Sequence, residues 1–226
     1  YIIDMAGYKK ALEQRNRLLK DLRDYGNSDP GVLEAWNNQL VQFGAPIIDK
    51  RQEYIERISP IADGIHQELT EGKETLRVEY LPSVTPTGSD SVINMENAIA
   101  EVRNEERRRG VTLIGPQRDD MRFMINDLDA KSYGSQGQQR TVALSLKLAE
   151  FQLISEYSGE PPVVLLDDVF SDLDDKRRTQ LISRIFGKGQ TFITCTELHA
   201  FGEKTLAGAS IFRVDKGKMS VEQSGE

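Results

Sequence analysis

Two stretches of this chain carry residue types that handle phosphate and metal. The first is Gly134-Ser135-Gln136-Gly137-Gln138-Gln139-Arg140, small and polar. It stands where an apolar-faced helical pattern, 138–157, begins. Free amides and the positive dipole end at a helix start suit an anion, Ser135 adds a hydroxyl, and Gly134 and Gly137 allow close backbone approach. The second is the apolar run Val163-Val164-Leu165-Leu166 with Asp167 and Asp168 at its end. Such a run reads as a strand buried on both faces, with Asp167 at the carboxyl edge where open α/β sheets bind ligands. A hard cation such as Mg²⁺ takes oxygen ligands and shares them with phosphate, so Asp167 can hold it directly or through water. Asp168 stands where a carboxylate orients or deprotonates a water. Each stretch has a plainer alternative: a glycine-containing helix cap, and two carboxylates that cap a turn. Ser171-Asp172-Leu173-Asp174 closes the region.

The elements that must position these residues follow from periodicity. From Tyr8 to Tyr25 the pattern is helical, with Tyr8, Leu12, Leu18, Leu19 and Leu22 near one face and Arg15 among the charges outside it. Asp29-Pro30 signals a second helix start. Gly44-Ala45-Pro46 predicts a break or kink, and Ser59-Pro60 a further start. Residues 8–71 therefore read as a helical hairpin or small bundle, with Trp36 in its packing. Period-two alternation from Thr75 to Leu81 predicts a half-buried strand. Thr85 to Asp90 is a loop, and Ser91 to Arg109 a polar helix. Its Arg107-Arg108-Arg109-Gly110 end is either a dipole-matched terminus or a phosphate-contacting patch. Val111 to Ile114 and Met121 to Ile125 read as strands around the Gly115-Pro116-Gln117-Arg118-Asp119-Asp120 loop. Thr191 to Thr194 reads as a buried strand, and Asp215-Lys216-Gly217-Lys218 as a hairpin turn. Strand, helix and strand across 140–194 predict a parallel sheet in an α/β core.

Composition sets the outer bounds. The chain has 226 residues, 38% hydrophobic and 29% charged, which is ordinary for a globular protein. No stretch approaches the ~18 consecutive apolar residues of a membrane span. The start, Tyr1-Ile2-Ile3-Asp4-Met5, lacks a signal peptide's basic segment and reads as a chain cut from something longer. One cysteine, Cys195, excludes an internal disulfide and fits a reducing, cytoplasmic setting; two histidines beside it argue against structural zinc. The net charge of −7 is spread over both halves, so any nucleic-acid contact must come from local patches.

Ser135-Gln136-Gly137-Gln138 at a helix start, an apolar-Asp-Asp strand end and Ser171-Asp172-Leu173-Asp174, in that order, resemble the signature, Walker B and D-loop of ATP-binding-cassette (ABC) ATPases. More specifically, the chain resembles the RecF family of bacterial recombination mediators, related to SMC proteins. The matching stretches are 14–20 (QRNRLLK), 115–120 (GPQRDD), 134–150 (GSQGQQRTVALSLKLAE) and 165–175 (LLDDVFSDLDD). The resemblance implies the C-terminal lobe of an ABC-type head with an inserted α-helical arm. Residues 1–7 would end an N-terminal head segment, 8–110 form the arm, and 111–226 form the lobe. It also implies an ATP-dependent homodimer that binds DNA at single-strand/double-strand junctions and, with RecR, helps load RecA in DNA repair, replication, recombination and the SOS response. Carried over, Ser135, Gln136, Gly137 and Gln138 face the γ-phosphate of ATP on the opposite protomer. Asp167 helps hold Mg²⁺, Asp168 takes the place of the catalytic Glu of transporter ATPases, and Asp174 lies at the dimer interface.

Three departures bear on activity. No Gly-x4-Gly-Lys-Ser/Thr occurs, so the phosphate-cradling loop of such ATPases is missing from this sequence. The expectation is a C-terminal portion that neither hydrolyses ATP nor holds ATP and Mg²⁺ alone. Gln117 stands where the family commonly has His. No His follows Thr191–Thr194 at the switch position; Thr194 and Thr196 are nearest, and His199 comes late. Two other readings stay open: a non-catalytic DNA- or protein-interaction module, and a phosphoacceptor or metal hydrolase using Asp167 and Asp168. The last lacks a receiver's lysine at the strand end, where Thr194-Cys195-Thr196-Glu197 stands.

Overall fold

The structure is a computed structural model that describes residues 1–26, 30–86, 88, 90–198 and 201–223. The cap expected at Asp29, parts of the 85–90 loop and His199 lie outside the described residues. Two compact units, 1–142 and 143–226, divide the chain.

In the first unit, α1 (Ile2–Tyr25), α2 (Pro30–Thr70) and α3 (Ser91–Arg109) pack around Tyr8, Ala11, Leu40, Ile47, Met95 and Ile99. Trp36 is half-buried against this cluster, as its place in the stripe predicts. Sequence signals bound α3 at both ends. The Asp90 carboxylate accepts from the Val92 and Ile93 N–H groups, and Gly110 takes the left-handed C-cap. A sheet of β1 (Leu76–Leu81), β2 (Asp120–Ile125) and β3 (Leu128–Asp129) runs antiparallel, with Val78 opposite Phe123.

Three expectations fail here. First, α2 neither breaks at Gly44-Ala45-Pro46 nor restarts at Ser59-Pro60. Proline costs about 3 kcal/mol in a helix interior, but Ala45, Ile47, Ala62 and Ile65 are buried on both sides of the two prolines. Gly44 serves close packing instead: a Cβ there would lie 2.6 Å from Met95 Cε. Ser59 does not cap a helix. Its Oγ accepts from Val78 N–H at 3.0 Å, and Asp63 Oδ1 accepts from Leu76 N–H at 2.8 Å. Side chains of α2 thus satisfy the outer edge of β1, which would otherwise invite another strand.

Second, Val111–Ile114 is not a strand. Side chains take the place of a ladder there: Asn16 Oδ1 accepts from Thr112 N–H at 2.8 Å, and Glu106 Oε1 from Leu113 N–H at 2.8 Å. Third, Arg15 is buried rather than solvated. Its guanidinium donates to Asn37 Oδ1 (2.7 Å), Thr112 Oγ1 (2.8 Å) and Glu106 Oε2 (2.6 Å). Both partners of the Arg15–Glu106 ion pair are almost wholly enclosed.

α4 (Ala130–Tyr133) follows β3 and leads to α5 (Gln136–Ser158), inside which the unit boundary falls. The second unit pairs β4 (Val164–Asp167) with β5 (Thr191–Thr194) in parallel, Leu165 opposite Phe192, as the strand–helix–strand pattern predicts. α6 (Asp175–Ile185) connects them, with Leu181 and Ile185 buried. After α7 (Glu203–Ala207), β6 (Ile211–Asp215) and β7 (Lys218–Gln223) form the expected hairpin, with Lys216 and Gly217 at positive φ. The β4–β5 strands are not buried on both faces, contrary to expectation: Leu165 is 74% and Phe192 54% exposed. A two-stranded sheet with one uncovered face leaves every second apolar side chain in water. Among the described residues no helix is long and apolar enough to cross a membrane.

The buried ion pair yields a stability prediction. Glu106→Ala strands the Arg15 charge and lowers unfolding free energy by about 3–5 kcal/mol. Exchanging both Arg15 and Glu106 for apolar residues costs less than either single change. Urea denaturation checks both, and an additive double variant would contradict the coupling.

Candidate functional site

The Ser135 loop is built by local bonding. Gln139 Nε2 donates to the carbonyls of Ala130 and Gly134, both at 3.1 Å, which fixes the approach. A Cβ at Gly134 would lie 2.5 Å from the Ala130 carbonyl oxygen, so the chain passes too close there for any other residue. Ser135 and Gln138 form a reciprocal capping box. Ser135 N–H donates to Gln138 Oε1 at 2.8 Å, and Gln138 N–H donates to Ser135 Oγ at 3.2 Å. Helix geometry leaves the N–H groups of Gln136 and Gly137 without intrahelical acceptors. Both residues are exposed, as is Ser135. The Ser135 oxygen accepts from Gln138, so its hydroxyl proton is available to an outside acceptor. The result is three donors at one helix start, suited to phosphate oxygens. Gln138 differs from the other three, because its Oε1 and backbone N–H are both engaged within the loop.

The carboxylate end of β4 is organised by a residue of β5. Thr194 Oγ1 donates to Asp167 Oδ1 at 2.5 Å and accepts from Asp168 N–H at 3.0 Å. This hydroxyl fixes one oxygen of Asp167 and the backbone of Asp168 together. Asp168 has left-handed φ 49° and ψ 24°, an uncommon conformation for a residue with a side chain. Mg²⁺ binds through one or two carboxylates plus phosphate oxygens, and a single oriented Asp167 with a neighbouring Asp168 fits that pattern. Among the described residues no group of three or more His, Cys, Asp or Glu side chains could hold a metal by itself.

The chain then turns through Val169–Asp172, anchored by buried Phe170 and Leu173. The Phe170 ring packs on Phe201 at 4.9 Å between centroids. The side chains of Ser171 and Asp172 lie outside the described ones. Asp174 caps α6, its Oδ1 accepting from Arg177 N–H at 2.9 Å.

The Gly115–Asp120 loop is locked rather than open. Gly115 sits at φ 113°, where only glycine is comfortable, and a Cβ would overlap the Tyr8 hydroxyl. Gln117 accepts from the Tyr8 hydroxyl and donates to the Ile114 carbonyl at 2.9 Å. Asp119, almost fully buried, accepts from Ser83 N–H at 2.9 Å, from Arg51 Nη1 at 3.1 Å and from the Tyr80 hydroxyl. Periodicity carries no trace of this set, because its members come from four separated segments.

At the end of α3, Arg108 and Arg109 each pair with Glu105, and Arg23 donates to the Arg109 carbonyl at 3.1 Å. Arg107 is partly buried.

No family model matches the chain. Comparison with individual proteins does find relatives. The chain is 44% identical over 225 residues to the DNA replication and repair protein RecF of Rippkaea orientalis, covering 94% of this chain and 59% of that protein. It is 43% identical over 223 residues to the RecF of Halalkalibacterium halodurans, covering 97% and 60%. Over nearly its whole length this chain is similar to RecF proteins. A solved structure of the recombination mediator protein RecF with ATP, in the RecFOR pathway, matches with TM-score 0.86 and 32% identity. That match covers 99% of this chain and 58% of the other. The mixed α/β fold is therefore that of RecF, over about three fifths of the length of these relatives.

The locked loop has an alkaline signature. Burial first, then the charge of Asp119, pushes the Tyr8 phenol well above its ordinary range. Burial, then the hydrogen bond to Asp119, does the same for Tyr80. The unfolded chain loses these protons near the usual tyrosine pKa of about 10 while the folded chain keeps them. Stability is thus full below about pH 10 and falls as pH rises beyond it. In a spectrophotometric titration, two of the seven tyrosines should ionise only with unfolding, and Tyr8→Phe with Tyr80→Phe should remove that step. Normal ionisation of all tyrosines in the folded protein would contradict the buried network.

Proposed function

We propose that this chain is the C-terminal lobe and helical arm of an ABC-type ATPase head in a RecF-like recombination mediator. In this reading residues 1–7 end an N-terminal head segment, 8–110 form the arm and 111–226 form the lobe. The whole protein works in the cytoplasm, binds DNA at single-strand gaps, dimerises with ATP and, with RecR, helps load RecA. The observation that carries the reading is the Ser135 capping box, which turns one hydroxyl and two free amides outward at an exposed helix start. The RecF relationship supports ATP as the source of the phosphate, since a RecF structure contains it.

The chain's residues divide the labour. Ser135, with the amides of Gln136 and Gly137, meets the γ-phosphate bound by a second protomer, and Gln138 holds that arrangement. Asp167 serves the nucleotide of its own chain through Mg²⁺, which supplies charge neutralisation at the phosphates when bound. Asp168 holds the attacking water and takes its proton. Thr194 keeps Asp167 in the rotamer that faces the site. The D-loop, with Asp174 at its end, lies against the partner protomer. Arg107, Arg108 and Arg109 contribute a short basic patch for DNA phosphates, working against the local charge of Glu105.

A second reading suits the chain by itself. The absence of Gly-x4-Gly-Lys-Ser/Thr from the sequence favours a binding module without turnover.

Two outcomes follow. The chain by itself hydrolyses ATP negligibly in a phosphate-release assay; turnover abolished by Asp167→Asn would contradict this. In the full-length protein Ser135→Arg abolishes ATP-driven dimerisation while changing stability by no more than about 0.5 kcal/mol, as befits an exposed position. Light scattering that still finds ATP-dependent dimers would overturn the signature role.

A further inference from the structure

α2 ends at Thr70, and residues 71–75 turn the chain into β1. The turn is specified by two left-handed residues, Glu71 at φ 58° and Gly72 at φ 73°. It is closed by a 2.7 Å bond from Gly72 N–H to the Gln67 carbonyl. The turn delivers Glu74 to the start of α5, where its two carboxylate oxygens are shared between different partners. Oε2 lies 3.1 Å from Nε2 of His66, a fully buried residue of α2. Oε1 accepts from Gln138 Nε2 at 2.9 Å. Gln138 is the residue whose Oε1 and N–H complete the capping box with Ser135.

A cap does not by itself need this third partner. A glutamine amide turns easily about its last torsion and can present either end. Only the oxygen end can accept from Ser135 N–H. An ionised carboxylate is acceptor-only, so Glu74 binds the NH₂ end and selects the rotamer that puts oxygen against Ser135. Glu74 is in turn mostly enclosed, with 20% of its side chain exposed. Thr70 braces the same turn, donating to the His66 carbonyl at 2.8 Å. An unbroken series of bonds thus runs from the end of a 41-residue helix to the Ser135 hydroxyl.

We propose that Glu74 is a positioning residue for the Ser135 loop. It sets which end of the Gln138 amide faces Ser135, and so where the Ser135 hydroxyl points, and it ties the loop to α2 through His66. A shift at the end of α2 is thereby felt at the phosphate-facing donors. The functional part rests on the proposed contact between Ser135 and a partner's nucleotide; the positioning part does not.

The test separates the two. Amide hydrogen exchange is measured on the chain as wild type, Glu74→Ala, Glu74→Gln and Gln138→Ala, and ATP-driven dimerisation on the full-length protein. In Glu74→Ala the backbone amides of Ser135 and Gln138 should exchange about ten-fold faster, with the core of α1 and α2 unchanged. Glu74→Gln, whose carbonyl still accepts from Gln138, should restore most of the protection. On a Gln138→Ala background, Glu74→Ala should add nothing at Ser135. In the full-length protein Glu74→Ala should raise the ATP concentration needed for dimerisation about ten-fold. Unchanged exchange at Ser135 and Gln138 in Glu74→Ala overturns the proposal. So does faster exchange with unaltered dimerisation, if Ser135→Arg abolishes dimerisation. If Ser135→Arg also dimerises normally, the nucleotide reading of the loop fails, and the exchange result alone decides the positioning role. Should Glu74→Ala fail to fold, Glu74→Gln compared with Gln138→Ala decides it: equal loss of protection at Ser135 in both contradicts rescue by a retained acceptor.

Discussion

A buried guanidinium cannot lose its charge, so everything around Arg15 must be arranged to meet it. Glu106 from α3, Asn37 from α2 and Thr112 from the segment after α3 all converge on it. Three helices and a strandless connection are thereby held in one register. The same Glu106 also accepts from Leu113 N–H, which replaces a sheet ladder where the chain leaves α3. The Gly115–Asp120 loop begins directly after, and β2 starts from it. That frame thus fixes the segment that leads into β2, and the Ser135 loop follows the β1–β2 sheet and touches the turn after α2.

Local signals were legible wherever a single segment specifies its own geometry. The Gly110 stop, the Lys216-Gly217 turn and the parallel pairing of β4 with β5 all stand where the residue order puts them. The Ser135 and Asp167 stretches were readable for the same reason, being short and chemically unusual. Failures came where distant residues override local preference. Pro46 and Pro60 stay inside α2 because the buried stripe on either side outweighs two missing hydrogen bonds. Arg15 sits on a helical face that counts as polar, and Glu106, Thr112 and Asn37, all distant in the chain, make its burial tolerable. Val111–Ile114 has strand-like residues but side-chain partners. Leu165 and Phe192 have the composition of a doubly covered strand, yet one face is uncovered in this chain. Glu74 carried no signal at all, since a lone Glu in a turn resembles any solvated carboxylate.

At the carboxylate end, the geometry points to restraint rather than abundance of ligands. Strained backbone persists where the surroundings over-determine it, and functional sites collect such residues. Asp168 is held left-handed by its bond to Thr194, which also binds Asp167. One threonine thus couples the two acidic residues. At the Ser135 loop the restraint comes from amide selection. The two stretches belong to different units, and the proposed chemistry assigns them to different nucleotides, each needing a second protomer.

That assignment has a decisive measurement. Full-length protein carrying Ser135→Arg is mixed with protein carrying Asp167→Asn, each inactive by itself, and ATP turnover of the mixture is recorded. If Ser135 of one protomer serves the nucleotide held with Asp167 of the other, mixed dimers contain one intact composite site, and turnover returns. If both residues serve the same nucleotide, every site in the mixture is broken and activity stays absent, which would contradict the account.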